Sequence, residues 1–375
     1  MMRIIYASFI RFPAEKAHAL YVAKSCEAFA ELDCDVELIV PRRFGIYQGD
    51  YKTFFNLRHT FKLVRLPCID LIWLPIGKSI AHKLGLLTFG DFVLLYVWWT
   101  QSDETLFVTN DVWLALLVTF TKVRVVYEIH DYPTGQWWLY RLVAKRAYKI
   151  QTNNQLKVDF VVRDLHVSRD KVYAVHNGVS IEDFDIPVSK DGARQRLSLD
   201  SGKKYAVYTG HLYDWKGADV LAEAAKYVPE IDILFVGGTK GEVANMSKRY
   251  YTYPNVHFLG HHEHKEIPYY LKAADVLVLP NSGTSALSQH HTSPMKLFEY
   301  MATKRPIVAS DLPAVREILH ENNAILVQSD NAEKLAVGIR MALEKNTNEL
   351  TERAFENVIK NTWKLRGKKI LKNLK

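Results

Sequence analysis

Residues 276–310, VLVLPNSGTSALSQHHTSPMKLFEYMATKRPIVAS, read as strand, loop, helix and strand. Val276–Leu279 is an uninterrupted apolar run closed by Pro280, the pattern of a short strand buried on both faces. Asn281 to Ser293 is rich in Gly, Ser and Thr, which is loop chemistry. Pro294 stands where a first helical residue would, with Thr292 or Ser293 placed to cap, and Met295–Met301 continues as helix. Pro306–Ala309 is the next apolar strand. One strand, one crossing helix and another strand make a piece of a parallel sheet.

The same alternation extends in both directions. Upstream lie strands at Tyr205–Thr209, Asp232–Val236 and Val256–Leu259, with helices at Ala218–Lys226 and Ile267–Ala273. Before Asn177-Gly178 there is an earlier series. Its strands are Arg3–Ser8, Asp35–Val40 (stopped by Pro41), Thr105–Thr109, Arg124–Glu128 and Lys171–Val175. Its helices are Glu15–Leu32, Val112–Phe120 and Trp137–Tyr148. The rhythm restarts after Gly178, and the polar segment 189–204 separates the two series. The reading is α/β, with two doubly wound Rossmann-like domains, 1–178 and 179–354, facing across a cleft. A terminal helix, about 355–375, packs back on the first domain. Ligands of such sheets bind at the carboxyl ends of the strands.

Composition agrees with two globular domains. The chain has 375 residues, 48% apolar and 24% charged, which excludes disordered and collagen-like classes. The net charge of +8 is concentrated in the tail: residues 357–375 hold seven basic residues and no acidic one. There Ile359, Trp363, Ile370 and Leu374 fall near one helical face. That face either touches anionic lipid or packs on the protein with its lysines in water. Cys26, Cys34 and Cys68 form no C-x-x-C pair and read as thiols in a reducing compartment. The N-terminus reads as a first strand rather than a leader. The apolar stretch Ile69–Trp99 is interrupted by charges, and its longest uncharged run, Phe92–Ser102, is too short to span a bilayer. The expectation is a cytoplasmic protein, with that stretch and the tail as candidates for peripheral contact at the inner membrane face.

Several motifs are absent: no G-x-G-x-x-G, no H-E-x-x-H, no G-x-S-x-G, and Gly77-Lys78-Ser79 lacks the upstream glycine of a P-loop, which would be Ile72. His261 and His264, in Gly260-His261-His262-Glu263-His264, invite a metal, but no second ligand pair stands nearby, so an accessible loop is preferred and no metal is expected. Three strand ends in the second series suit phosphate. Thr209-Gly210-His211 leads to Lys216-Gly217, where Gly210 lets a ligand approach the backbone and Lys216 can neutralise a diphosphate; a surface lysine is the plain alternative. Phe235-Val236 ends in Gly237-Gly238. The amino end of the 295 helix offers amides and a dipole to an anion, with Lys296 in its first turn. Glu299, one turn on, can reach a neighbouring sugar hydroxyl; an ordinary capped helix is the alternative. Together the three ends argue for a nucleotide diphosphate.

These residues reach a family. Over most of its length the chain resembles the retaining glycosyltransferases of family four, which have the GT-B fold. Asn177-Gly178-Val179 looks like the family's junction segment, and Gly210 to Gly217 resembles its phosphate clamp. Val256–Gly260 with Ala274–Pro280 is similar to its nucleotide-facing core. Ser293–Ala302 followed by Arg305–Ser310 resembles its donor-binding helix and next strand. Glu128-Ile129-His130-Asp131 resembles its strand-end histidine motif.

The resemblance implies roles. Glu299, matching the second glutamate of the E-x7-E motif, binds the ribose. Lys216 and the amides from Ser293 through Met295 to Lys296 hold the diphosphate. Gly260, His261 and His262 lie along the base, and His130 faces donor sugar and acceptor. A loop histidine held by Asp131 is the alternative for His130. Two positions depart from the pattern. The first motif glutamate falls on His291, which can still hydrogen-bond sugar hydroxyls, and the clamp arginine falls on His211, so neutralisation leans on Lys216. The loop Phe12–His18 lacks the glycine pair of many members.

The implied chemistry is sugar transfer from a UDP- or GDP-sugar to a carbohydrate or lipid-linked hydroxyl, with retention and without metal or other cofactor, in cell-envelope polysaccharide or glycolipid synthesis. The rivals are a GT-B epimerase or phosphorylase, and a non-catalytic membrane- or nucleic-acid-binding protein; no nucleic-acid motif supports the last.

Overall fold

Most strands in this chain are short and mainly apolar because helices cover both faces of each sheet. The computed structural model describes residues 2–43, 49–71, 77–130, 132–133 and 135–374, with only the backbone of Lys78. Residues 72–76 of the apolar stretch, and Asp131 beside His130, lie outside the described residues. The chain divides into two compact units, Met1–His176 with Trp363–Lys375, and Asn177–Thr362.

The first unit is built on seven parallel strands: β1 Arg3–Ala7, β2 Asp35–Pro41, β3 Lys62–Leu66, β4 Thr105–Thr109, β5 Arg124–Ile129, β6 Lys149–Thr152 and β7 Val172–Ala174. Their order is β3-β2-β1-β4-β5-β6-β7. It reverses direction at β1, between β2 and β4, which is the switch point where such sheets place ligands. Alternation along β1 assigns its two faces. Ile5 and Ala7 join the core formed with the Lys78–Thr100, Val112–Val118 and Trp137–Arg146 helices. Tyr6 points the other way, toward Tyr21 of the Ala17–Ala30 helix. β2 runs through Pro41, which pairs with Leu66, rather than stopping before it. A proline ending a strand forfeits one donor only, and the next amide, Arg42 N, bonds Leu66 O at 2.7 Å.

The second unit has six parallel strands: β8 Lys204–Thr209, β9 Ile231–Val236, β10 Val256–Gly260, β11 Val276–Leu279, β12 Ile307–Ser310 and β13 Ile325–Val327. Their order, β10-β9-β8-β11-β12-β13, switches at β8. All four residues of β11 are buried, as its uninterrupted apolar run requires.

The sequence from 355 onward divides between the units. The Asn348–Val358 helix packs on the Met295–Ala302 helix of the second unit. Only the Trp363–Asn373 helix belongs to the first, where it lies against the Ala17–Ala30 helix. Its Trp363, Arg366, Gly367 and Ile370 are buried, so the apolar face that sequence left open to lipid is used in packing.

Candidate active site

In the second unit the carboxyl ends of β8, β9, β10 and β11 bring the sequence candidates together. Gly210 follows β8 with φ +119, outside the range ordinary residues adopt. A β-carbon there would stand 3.8 Å from Lys296 Nζ and 4.0 Å from Lys216 Nζ, so two ammonium groups converge on the open face of this glycine. Lys296 Nζ lies 3.7 Å from the centre of the Tyr208 ring and donates to Thr209 O at 3.1 Å. Lys216 Nζ lies 5.3 Å and 5.2 Å from the Tyr213 and Trp215 rings. Among the described residues neither ammonium forms an ion pair of the kind Lys190 makes with Asp275. Burial pushes the Lys216 ammonium down to about 8. Burial, reinforced by Lys216, also pushes the Lys296 ammonium well below its ordinary value, against the opposing pull of Glu299. Two like charges brought together without a counterion form a site for a polyanion.

The lysines are fixed from behind. Tyr300 Oη accepts from Thr209 N at 2.8 Å, tying the Met295–Ala302 helix to the end of β8. Gly217 lies so close to β11 that a β-carbon would meet Pro280 O at 1.8 Å. The helix begins at Met295. Pro294 is outside it, with ψ 125, and no side chain caps it, contrary to the expectation for Thr292 and Ser293. A π-helical turn, Leu287–His291, precedes the helix, and Asn177 Nδ2 donates to Ser293 O at 2.6 Å. These hold the loop away from a capping geometry; Leu297 N bonds Pro294 O at 3.1 Å, and the Met295 and Lys296 amides before it have no intrahelical acceptor.

Glu299 faces the histidine loop: its Oε1 lies 3.7 Å from His264 Nε2. His262 is held by Tyr270 Oη at 3.1 Å from Nε2 and by Glu266 Oε2 at 3.3 Å from Nδ1. His264 and His262 thus serve different partners, and His261 is exposed. Among the described residues no cluster of three His, Cys, Asp or Glu has metal-holding geometry. Gly237 N donates to Gly260 O at 2.7 Å, joining the β9 and β10 ends beside Gly238. His211 stacks on Tyr213, ring centres 4.9 Å apart, and its Nδ1 stands 3.3 Å from Glu242 Oε2. Glu242 also closes a capping box with Thr239, so the helix after β9 orients the residue in the clamp-arginine position. His291 lies in the π turn, its ring 6.2 Å from that of His290.

The first unit holds His130 at the end of β5. Its Nε2 stands 3.5 Å from Glu128 Oε2, its ring lies edge-on to Tyr21 at 4.2 Å, and the His18 ring is 5.6 Å away. Lys157 Nζ donates to the His130 carbonyl at 2.5 Å and to Asn153 Oδ1 at 2.8 Å. Beneath it, Glu128 is fully buried and accepts from Tyr6 Oη, from Gln151 Nε2 at 2.9 Å and from Arg366 Nη2 at 3.3 Å. Burial alone would push this carboxyl up. The contact with His130 and the Arg366 charge outweigh burial and hold it down to about 2. Arg366 also reaches Tyr21 Oη and, at 3.2 Å, Ser25 Oγ. Sequence reading missed His18, Tyr21, Lys157 and Arg366. Only the Glu-x-His spacing, which puts Glu128 and His130 on one side of the strand, signalled part of this network.

With this geometry in hand, the relatives can be compared. The family model described as "Glycosyl transferases group 1" matches residues 203–345, inside the second unit. A Bacillus subtilis protein named as a teichuronic acid biosynthesis glycosyltransferase is 25% identical over 293 residues, 76% of this chain and 70% of that one. The processive diacylglycerol alpha-glucosyltransferase of Acholeplasma laidlawii is 23% identical over 203 residues, 53% of this chain and 59% of that one. Two solved structures share the fold. Sucrose-phosphate synthase from Thermosynechococcus elongatus has a TM-score of 0.79 at 17% identity, covering 99% of this chain and 98% of that one. Anabaena HepE in complex with UDP and glucose has a TM-score of 0.76 at 18% identity, covering 100% and 99%. Sheets of seven and six parallel strands, each reversing at its third strand, are those of the GT-B fold, and the second unit matches the group 1 glycosyltransferases over residues 203–345.

Proposed function

We propose that this glycosyltransferase takes a nucleotide-diphosphate sugar, with UDP favoured over GDP, and transfers the sugar with retention to a hydroxyl of a carbohydrate or lipid-linked acceptor in cell-envelope glycan or glycolipid synthesis. The observation that carries the reading is the convergence of Lys216 and Lys296 on Gly210 without a carboxylate counterion. Relatives support the substrate class: HepE binds UDP and glucose, and the Acholeplasma enzyme glucosylates diacylglycerol.

In this reading the anomeric carbon–oxygen bond to the diphosphate breaks while the acceptor oxygen bonds the same face of the sugar. The acceptor proton passes to an oxygen of the departing phosphate, so no protein nucleophile is needed. Lys216, Lys296 and the first-turn amides of Met295 and Lys296 meet the negative charge that grows on the leaving group. Glu299 holds the ribose, its carboxylate 3.7 Å from His264 Nε2. Gly260, His261 and His262 border the base, and His291 meets the sugar. In the first unit His130, oriented by Glu128, is the candidate residue for the acceptor. No metal or other cofactor takes part, and the work is done on the cytoplasmic side.

Thermal shift against UDP- and GDP-sugars identifies the donor, because a ligand bound only by the native state raises apparent stability. Product analysis by proton NMR then reads the anomeric configuration. Glu299→Ala and Lys216→Ala should each abolish transfer in a folded protein. Wild-type turnover in both, with a verified donor, would overturn the assignment, and an epimerised free sugar nucleotide would replace transferase by epimerase.

A further inference from the structure

The Lys78–Thr100 helix turns one face to the core and the other to solvent. Leu86, Phe89, Val93 and Val97 are buried in the first unit, against the sheet and the Val112–Val118 helix. Ile80, Leu84, Leu87, Leu95 and Trp98 recur at helical spacing on the opposite side, with Trp99 beside them. Leu95, Trp98 and Trp99 are 59%, 64% and 85% exposed. Among the described residues Asp91 is the one charge inside that stripe. A continuous apolar face of this extent marks a docking surface. The span Ser79–Thr100, with mean hydropathy 1.4, is long enough to cross a bilayer, but a third of it is buried in the protein. A helix anchored by one face lies along a membrane rather than through it.

Charge selects the partner. The first unit carries 28 Lys and Arg against 17 Asp and Glu, a net +11, while the second carries 21 against 24, a net −3. Topology gathers part of that charge near the tryptophans. Trp98 and Trp99, followed by the exposed Asp103 and Glu104, precede β4, Phe120 and Lys122 precede β5, and Lys145 and Arg146 precede β6, so three bases stand against two acids there and the net sign is positive. Those strands are parallel neighbours, so all these residues sit at one end of the unit. Phe120 is 64% exposed, with the Arg146 guanidinium 4.2 Å from its ring centre. Exposed tryptophans beside bases match the headgroup layer of an anionic bilayer. A second copy of a +11 unit would be repelled.

We propose that the exposed face of the Lys78–Thr100 helix docks on an anionic phospholipid bilayer. Its aliphatic stripe enters the acyl boundary, and Lys122, Lys145 and Arg146 meet the phosphates. The inference is independent of which sugar is transferred.

The test is flotation of the whole protein with phosphatidylcholine vesicles, with and without phosphatidylglycerol. Wild type should float with the anionic vesicles, and 0.5 M salt should weaken this. Leu95→Glu and Trp98→Glu should each lower the partition coefficient about tenfold or more, since each removes one buried apolar side chain. Brominated lipid should quench tryptophan fluorescence in wild type and less in Trp98→Phe/Trp99→Phe. Leu95, Trp98 and Trp99 are exposed, and unchanged hydrogen-exchange protection of the β1 and β5 amides reports that the first unit of each variant stays folded. Failure of wild type to bind phosphatidylglycerol vesicles, or equal binding by the glutamate variants, would overturn the proposal. So would a wild-type dimer that Leu95→Glu converts to a monomer, because the stripe would then be a subunit interface.

Discussion

Replacing Arg366 by methionine removes the only cation that the described residues place on the buried Glu128 carboxylate besides His130. Both side chains of that pair are 2% exposed, so water cannot take the place of the guanidinium. His130 and Arg366 together hold Glu128 at about 2 against an ordinary 4.5, a difference worth about 3 kcal/mol at neutral pH, of which Arg366 supplies a part. Breaking one partner of a buried ion pair costs about 3–5 kcal/mol, the same range. The sign of the pH dependence follows. A carboxyl whose folded value is depressed contributes stability that is full above 4.5 and is lost as pH falls toward 2. In Arg366→Met burial remains and pushes the carboxyl up, so the variant suffers most at neutral pH and the gap to wild type narrows on acidification. Hydrogen-exchange protection of β1 and β5 amides in the whole chain reads the first unit separately from the second. The expected loss in Arg366→Met at pH 7 is about 3 kcal/mol, shrinking by pH 4. The double variant Glu128→Gln/Arg366→Met should recover part of it, because no uncompensated charge is left inside. A neutral-pH loss below about 0.5 kcal/mol, or a gap that widens in acid, would refute the reasoning.

Two further outcomes follow from the second unit. UDP affinity measured by calorimetry should fall about fivefold between pH 8 and pH 9, because the charged form of Lys216, which titrates at about 8, is the one that binds; a flat profile would remove Lys216 from the diphosphate site. Gly217→Ala should destabilise the second unit by more than about 2 kcal/mol in urea unfolding, since its β-carbon would overlap Pro280 O and its φ of +70 disfavours any side chain; a near-neutral result would mean that the β11 end yields.

Most of the fold was legible because its strands are apolar runs between helices. Three strands escaped notice, each for a physical reason; β13, ILV, is only three residues long and stands where helices alone were expected after Ala309. β3, KLVRL, is an edge strand with Lys62 and Arg65 exposed, so it lacks the apolar run of a covered strand. β6, KIQT, is only four residues long and half polar. The Lys78–Thr100 helix is apolar on both faces and so has no polar side to set a period. At the site, Lys216 was readable from the short turn after β8, and Lys296 and Glu299 from the helix that follows the loop after β11. The network under His130 was not. Arg366 lies 238 residues from Glu128 and 345 from Tyr21, and no spacing rule links them. For the tail, the pattern of Trp363 and Ile370 allowed both lipid and packing. Only the position of the Ala17–Ala30 helix decides, and that is a tertiary fact.

The connectivity makes the second unit an insertion of 186 residues inside the first. On the ribosome, then, the Glu128 carboxylate must wait for its guanidinium until that whole insertion has been synthesised. The amino-terminal sheet cannot close its interior in order of synthesis, whereas the inserted unit can. Loss of residues 363–374 by proteolysis or early termination should therefore damage the beginning of the chain rather than its end.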